Sequence, residues 1–290
     1  MANLQAIKRR IKSVQNTRQI TKAMEMVAAS KMRRAQEATL RSRKYTLRIT
    51  EINERLAGKV DVAKHDLFTV RPVVKRLYVF FTSDQGLAGA YNANLTKELL
   101  SILEADKAAG VTPHLIVIGK KGAQLVSRLE NVELVGVYEN WPTNPSVADV
   151  APILQQARAG FTDGSYDEVT LIYTEFFSMI KQVVTQTKLL PLAQPVVTED
   201  QQQATDKQGF EPSPQAVLEA VVPRLVEAQL IQAAYEASAS EQSMRMVAMK
   251  NASDNANDLI DDFTLAYNGA RQAGITQELA EISAGAEAIN

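Results

Sequence analysis

The sequence predicts an α/β protein with two long helical ends: a left-handed antiparallel coiled coil of the N- and C-terminal helices, with a Rossmann-like α/β domain between them. Three observations lead there. Residues 1–60 and 213–290 are long stretches with few helix breakers, and each repeats apolar or small residues at every seventh position. Residues 70–200 alternate apolar runs with helical stretches. The two ends also carry opposite charge: 15 Lys/Arg against 4 Asp/Glu in residues 1–60, and 4 against 11 in residues 213–290.

The N-terminal element comes first. No Gly precedes Gly58 and no Pro precedes Pro72, and good helix formers dominate. The series Ile7, Val14, Thr21, Ala28, Ala35, Ser42, Ile49 and Leu56 is apolar or small throughout, while the companion series Leu4, Ile11, Arg18, Glu25, Met32, Thr39 is less clean. A seven-residue repeat held this long coils left-handedly about a partner, and small residues allow that partner close. Fifty helical residues make a rod of ~75 Å.

The middle follows. Arg76–Ser83 reads as a buried strand, and the turn DQGLAGAYN leads into a helix ending near Ala109. His114–Gly122 gives a second strand and turn before another helix, and Val132–Tyr138 a third strand. Ser146–Ala159 is an amphipathic helix with a cap, and Glu168–Thr174 and Gln182–Leu190 are two further strands. Such alternation implies a mostly parallel sheet with helices on its faces. The polar stretch Thr198–Gly209 reads as the linker to the last helix.

That helix opens with Ser213-Pro214, an N-cap followed by proline at the first helical position. Pro223 is expected to mark a kink or a second start. Beyond it the series Val221, Ala228, Tyr235, Gln242, Met249, Ala256, Phe263, Ala270 is mostly apolar or small. Unbroken, this helix would span ~100 Å and outrun its partner. The opposite charges favour antiparallel pairing of the two ends.

Composition excludes several chemistries. With no Cys there are no disulfides or thiolate sites, and two distant histidines, His65 and His114, do not suggest zinc. No apolar run approaches the ~18 residues of a membrane span. Gly86–Ala90 (GLAGA) stands where a Rossmann-like fold binds phosphate, but it lacks the GxGxxG spacing. A tight turn for close helix packing is the plainer reading, and Ile118–Gly122 is a weaker case still. Asp254, Asp258, Asp261 and Asp262 lie at helical spacing without a calcium loop, and read as a solvated or base-contacting face. No Ser/His/Asp set or catalytic carboxylate pair stands out, so no cofactor or active site is expected.

The basic N-terminal helix has rival readings. Fifteen basic residues suit nucleic acid, though aromatics for stacking are nearly absent. A transit peptide would also be basic, with no acid before Glu25, but one unbroken heptad runs past residue 50. A nucleotide-binding α/β enzyme with helical arms is the third possibility.

Motifs settle the preference. Ile20–Gln36 (ITKAMEMVAASKMRRAQ) and Tyr267–Ile289 (YNGARQAGITQELAEISAGAEAI) resemble the gamma subunit of F-type ATP synthases. So do SDQGLAGAYN after the first strand, KLLPL at Lys188–Leu192, FEPSP at Phe210–Pro214 and SEQSMRMVAMKNASDNA at Ser240–Ala256. The resemblance covers the whole chain. It implies a rotor shaft inside a hexamer of three alpha and three beta subunits, with a foot on the epsilon subunit and the membrane c-ring. Proton flow would turn ring and shaft, while beta performs the chemistry of ATP synthesis.

By position, the resemblance assigns roles. Lys22, Met24 and Glu25 meet the moving lever of beta, with Arg245 in the facing segment. Arg271, Gln272, Thr276 and Glu278 contact beta's catch loop. Ile282 and Ala286 lie in an apolar bearing, and Arg41, Tyr45, Phe210 and Glu211 near the ring- and epsilon-facing foot. Two positions depart from the family: Gly269 replaces a basic residue, and Gly274 an Ala or Ser. The cysteine-bearing insert of plastid members is absent. A bacterial origin follows most simply, with the protein peripheral on the cytoplasmic face of the plasma membrane.

Overall fold

A computed structural model describes residues 2–57, 59–130, 132–194 and 210–289, with residues 2, 3, 63 and 285–289 described by backbone alone. The linker expected at Thr198–Gly209 lies outside the described residues. The elements run α1 (Ala2–Ala57), β1 (Lys75–Phe81), α2 (Tyr91–Ala109), β2 (Thr112–Ile118), α3 (Lys120–Val126), β3 (Glu133–Tyr138), α4 (Val147–Thr162), β4 (Glu168–Phe176), β5 (Gln182–Leu190) and α5 (Pro214–Ile289). The chain divides into two compact units: Met1–Ala28 with Arg245–Asn290, and Ala29–Met244. Both long helices contribute to both units.

The larger unit holds the sheet, ordered β3-β2-β1-β4-β5. β1 to β4 are mutually parallel and β5 returns antiparallel to β4. Strand parity assigns the faces. Tyr78, Phe80, Leu115, Val117 and Ile172 point to a core with Tyr91, Leu95 and Leu99 of α2. Leu77, Val79, Phe81, Ile116, Ile118 and Leu171 point to the opposite core. That core also holds Val150, Ile153 and Phe161 of α4, Ile49 and Leu56 of α1, and Leu218 to Ala237 of α5. The two helical ends are therefore part of the sheet's own packing, and burying large apolar side chains at ~25 cal/mol per Å² binds them there.

From Thr21 to Leu56 the seven-residue series of α1 is the buried seam. In the larger unit Ala35 and Leu56 are 0% exposed, and Ser42 and Ile49 are also buried; in the smaller unit Thr21 and Ala28 are buried. Pairing is antiparallel: Ala35 clusters with Ala239, while Arg43, further along α1, reaches back to Glu236. Pro223 neither breaks nor restarts α5, which runs through it. Leu218, Val222, Leu225 and Val226 are buried on either side of it. That anchored apolar face holds the helix across the missing hydrogen bond. Ser213 caps α5 as expected, its Oγ accepting from the Ala216 amide at 3.2 Å.

The charge polarity works differently from the sequence expectation. Arg43–Glu236, 2.9 Å apart, is the ion pair joining α1 to α5 among the described residues of the larger unit. Lys31, Arg33, Arg34, Arg41 and Lys44 are exposed, as are Asp254, Asp258, Asp261 and Asp262. No ion pair links either set to the other helix among the described residues. Small seam residues bring the helices together, and these charges face solvent.

His114, buried at the start of β2, gives the sheet a pH dependence. Burial lowers its pKa, partly opposed by Glu133 3.2 Å away, and Lys75 lowers it further; its ring also stacks edge-on against Tyr166. The unfolded chain therefore binds a proton near pH 6.5 that the folded one resists. Stability is complete above that value and falls as pH drops through it toward the lower folded pKa. Denaturant midpoints across pH 5 to 8 check this; His114→Asn is expected to flatten the slope.

Candidate partner-contact surfaces

In the smaller unit, Arg18 donates to Asn257 Oδ1 at 2.9 Å across the helix pair, beside the buried Thr21 and Ser253. Around this joint the outer face is apolar: Ile20 and Met26 are each 61% exposed, and Val27 55%. Lys22 and Glu25 pair with each other at 3.0 Å, and Met24 beside them is half-buried. Soft, flexible methionines next to a self-satisfied ion pair make a surface that can slide against another protein without being held at one angle. Arg245, by contrast, is only 7% exposed. Most of its surface is taken up within the chain, which leaves little guanidinium for an outside contact.

Along α5, Ala256 is the last buried residue among those described. Arg271, Gln272, Thr276 and Glu278 are all exposed, and Thr276 Oγ1 donates to the Gln272 carbonyl at 3.0 Å. Ile282 is 69% exposed; the side chain of Ala286 lies outside the described residues. Sequence reasoning missed two members of the same stripe, Ile275 and Leu279, both more than half exposed. Their spacing to Ile282, four and then three residues, was a legible signal of one apolar helix face.

Gly269 and Gly274 lie on this segment, and a Cβ at either would meet nothing within 4 Å. Gly269→Ala and Gly274→Ala are therefore expected to stabilise the helix by about 1 kcal/mol each. Thermal unfolding followed by circular dichroism checks this.

In the larger unit, Arg41 and Tyr45 are exposed on α1 beside the exposed Leu40 and Leu47. Glu211 is exposed, but Phe210 packs against the main core. Of the pair expected at the foot, Glu211 is exposed and the Phe210 ring is partly covered by the core.

The crevice at the carboxyl ends of β1 to β3, where such sheets take phosphate, is held by the chain itself. Asp84 accepts the amides of Lys120 at 3.1 Å, Asn140 at 3.0 Å and Trp141 at 2.7 Å. Asn92 bridges the Ser83 amide and hydroxyl. GLAGA is a turn, with Leu87 and Gly89 at positive φ. In IGKKG, Gly119 has φ 96°, and a Cβ on Gly122 would stand 2.7 Å from Thr82 Oγ1 and Val117 Cγ1. Both glycines serve close packing of α3 on β1. Among the described residues no group of three or more His, Asp or Glu is placed to hold a metal. No helix there is long and apolar enough to cross a membrane.

Comparison with known proteins gives one answer. A family model described as ATP synthase matches residues 3–289. The ATP synthase gamma chain of Moorella thermoacetica is 42% identical over 289 residues, covering 100% of each chain. That of Acidithiobacillus ferrooxidans is 42% identical over 290 residues, again covering 100% of each. A chain from the Tetrahymena thermophila mitochondrial ATP synthase central stalk and c-ring superposes with TM-score 0.63 at 29% identity, over 81% of this chain and 99% of that one. A Euglena gracilis mitochondrial ATP synthase chain gives TM-score 0.69 at 18% identity, over 99% and 95%, and so shares the fold. Matched from end to end, this chain belongs to the gamma-chain family of ATP synthases.

Proposed function

We propose that the chain is the central rotor shaft of an ATP synthase, coupling proton flow through a membrane ring to conformational change at catalytic sites on beta subunits. The observation that carries this is end-to-end membership of the gamma-chain family, joined to an antiparallel helix pair whose α5 segment bears an unpartnered apolar stripe. The stripe of Ile275, Leu279 and Ile282 sits in an apolar bearing formed by the alpha and beta subunits. Ile20, Met26 and Val27 slide past beta's lever, with Lys22 and Glu25 at the rim. Arg271, Gln272, Thr276 and Glu278 engage beta's catch loop, and Arg41, Tyr45 and Glu211 face epsilon and the c-ring. The chain has no active site of its own and works peripherally at the cytoplasmic face of a bacterial membrane.

Coupling requires each shaft angle to favour one beta conformation by differential contact energy. A uniform cylinder would favour none. This chain is not uniform: within the smaller unit α1 exposes the apolar Ile20, Met26 and Val27, and α5 exposes the acidic Asp254, Asp258, Asp261 and Asp262.

The test is reconstitution of membrane vesicles with alpha, beta, epsilon, ring and stator subunits. With this chain, ATP hydrolysis should acidify the vesicles and an imposed proton gradient should drive ATP synthesis. Equal coupling without the chain would overturn the proposal.

A further inference from the structure

We propose that Ser238, Ser240 and Ser243 of α5, with Arg43 of α1, form a torsional joint that makes the α/β domain turn with the helix pair; the inference rests on the rotor reading. Each serine hydroxyl donates to a main-chain carbonyl of the α/β domain. Ser238 Oγ reaches Thr143 O at 2.6 Å, Ser240 Oγ reaches Thr174 O at 3.0 Å, and Ser243 Oγ reaches Met179 O at 3.2 Å. Gln182 of β5 donates back to Ser243 Oγ at 3.2 Å. Arg43 donates to Phe176 O at 2.9 Å and to Glu236 at 3.0 Å, tying α1, α5 and the end of β4 at one guanidinium. Four carbonyls are thus gripped, from the loop before α4, from β4 and from the β4–β5 turn.

The residue types carry the argument. The segment Ala233–Ser243 (AAYEASASEQS) is otherwise rich in alanine, and Ala237 and Ala239 fill neighbouring buried positions. Serine is a poorer helix former than alanine and little larger, so packing alone would favour alanine at all three positions. What serine adds is direction. The hydrophobic attraction itself is non-directional. A hydrogen bond weakens steeply when its angle is bent, and so resists rotation of one body about another. Ser240 and Ser243 are 0% exposed and Ser238 6%, so water does not readily replace these bonds when they are strained. A rotor needs that resistance where its body meets its axle.

The experiment uses the complete enzyme in vesicles with the triple variant Ser238→Ala, Ser240→Ala, Ser243→Ala. ATP hydrolysis is expected to stay within about twofold of wild type, while protons moved per ATP fall about tenfold, since three directional bonds are lost without changing the catalytic sites. If the triple variant does not assemble, Ser238→Ala with Ser243→Ala carries the same expectation at smaller size and leaves Ser240 in place. An unchanged ratio of protons to ATP in the assembled variant overturns the joint. So does a parallel fall in hydrolysis and pumping, which would mark the serines as merely structural. A wild-type chain that supports no pumping at all overturns the rotor reading, and the joint with it.

Discussion

Replacing Arg76 with Ala is expected to lower the stability of the larger unit by about 4 kcal/mol, because it leaves the buried Asp106 carboxylate without its cation. Arg76 Nε donates to Glu168 Oε1 at 2.6 Å and Nη1 donates to Asp106 and, at 3.1 Å, to Tyr78 Oη. Tyr78 in turn donates to Asp106 Oδ2 at 2.6 Å. The Asp106 and Glu168 side chains are only 4% and 8% exposed. Glu168 would keep Lys188 at 2.6 Å. Asp106 would keep only the tyrosine, whose own pKa is pushed up by burial and by that hydrogen bond. The damage should therefore centre on Asp106. The double variant Arg76→Met, Asp106→Asn should recover most of the loss, since no buried charge is then left over. Trp141, the single tryptophan, packs against the core of this unit, so its fluorescence in a urea titration reports the transition. A single-variant loss below about 1 kcal/mol would contradict this account of the network.

This network was invisible in the sequence, and its invisibility has a physical reason. Arg76, Asp106 and Glu168 are separated by whole elements, and only the parallel register Arg76↔Glu168 brings two of them side by side. The helical ends were legible because their signal is local and periodic: the seam Ala28, Ala35, Ser42, Ile49, Leu56 could be read off one strand of text. All five strands were legible too, β1, β2 and β4 as buried apolar runs and β3 and β5 as less buried, valine-containing stretches, with β5 matching Gln182–Leu190 at both ends. The role of the charges was misread for the converse reason. Net charge says how much of each sign a helix carries but not which way it faces. Here burial selected small neutral residues for the seam and left Lys31, Arg33 and Asp258 outside. That Arg245 is only 7% exposed, and that Phe210 is partly buried against the main core, are tertiary facts that no local pattern announces. Ile275 and Leu279 were the opposite case, a helical stripe present in the text and passed over.

Asp84→Ala is expected to cost about 3 kcal/mol, because three main-chain amides lose a charged acceptor at once. Asp84→Asn should cost less, since one carbonyl oxygen remains to accept. The reason reaches back to function. In an α/β sheet of this kind, the crevice beyond the strand ends is where free amides meet a phosphate. Here a carboxylate from the chain's own first crossover loop takes those amides, pinning the start of α3 and the turn after β3 to the end of β1. Gly122 packs α3 close against Thr82 and Val117. A ligand would have to displace an anion already bonded at 2.7 to 3.1 Å on both sides of the crevice. The wild-type chain should therefore bind no ATP in equilibrium dialysis, and stoichiometric binding would refute the reading. These internal bonds also stiffen the domain, which suits a body that must transmit rotation, because each is present at every angle of the turn.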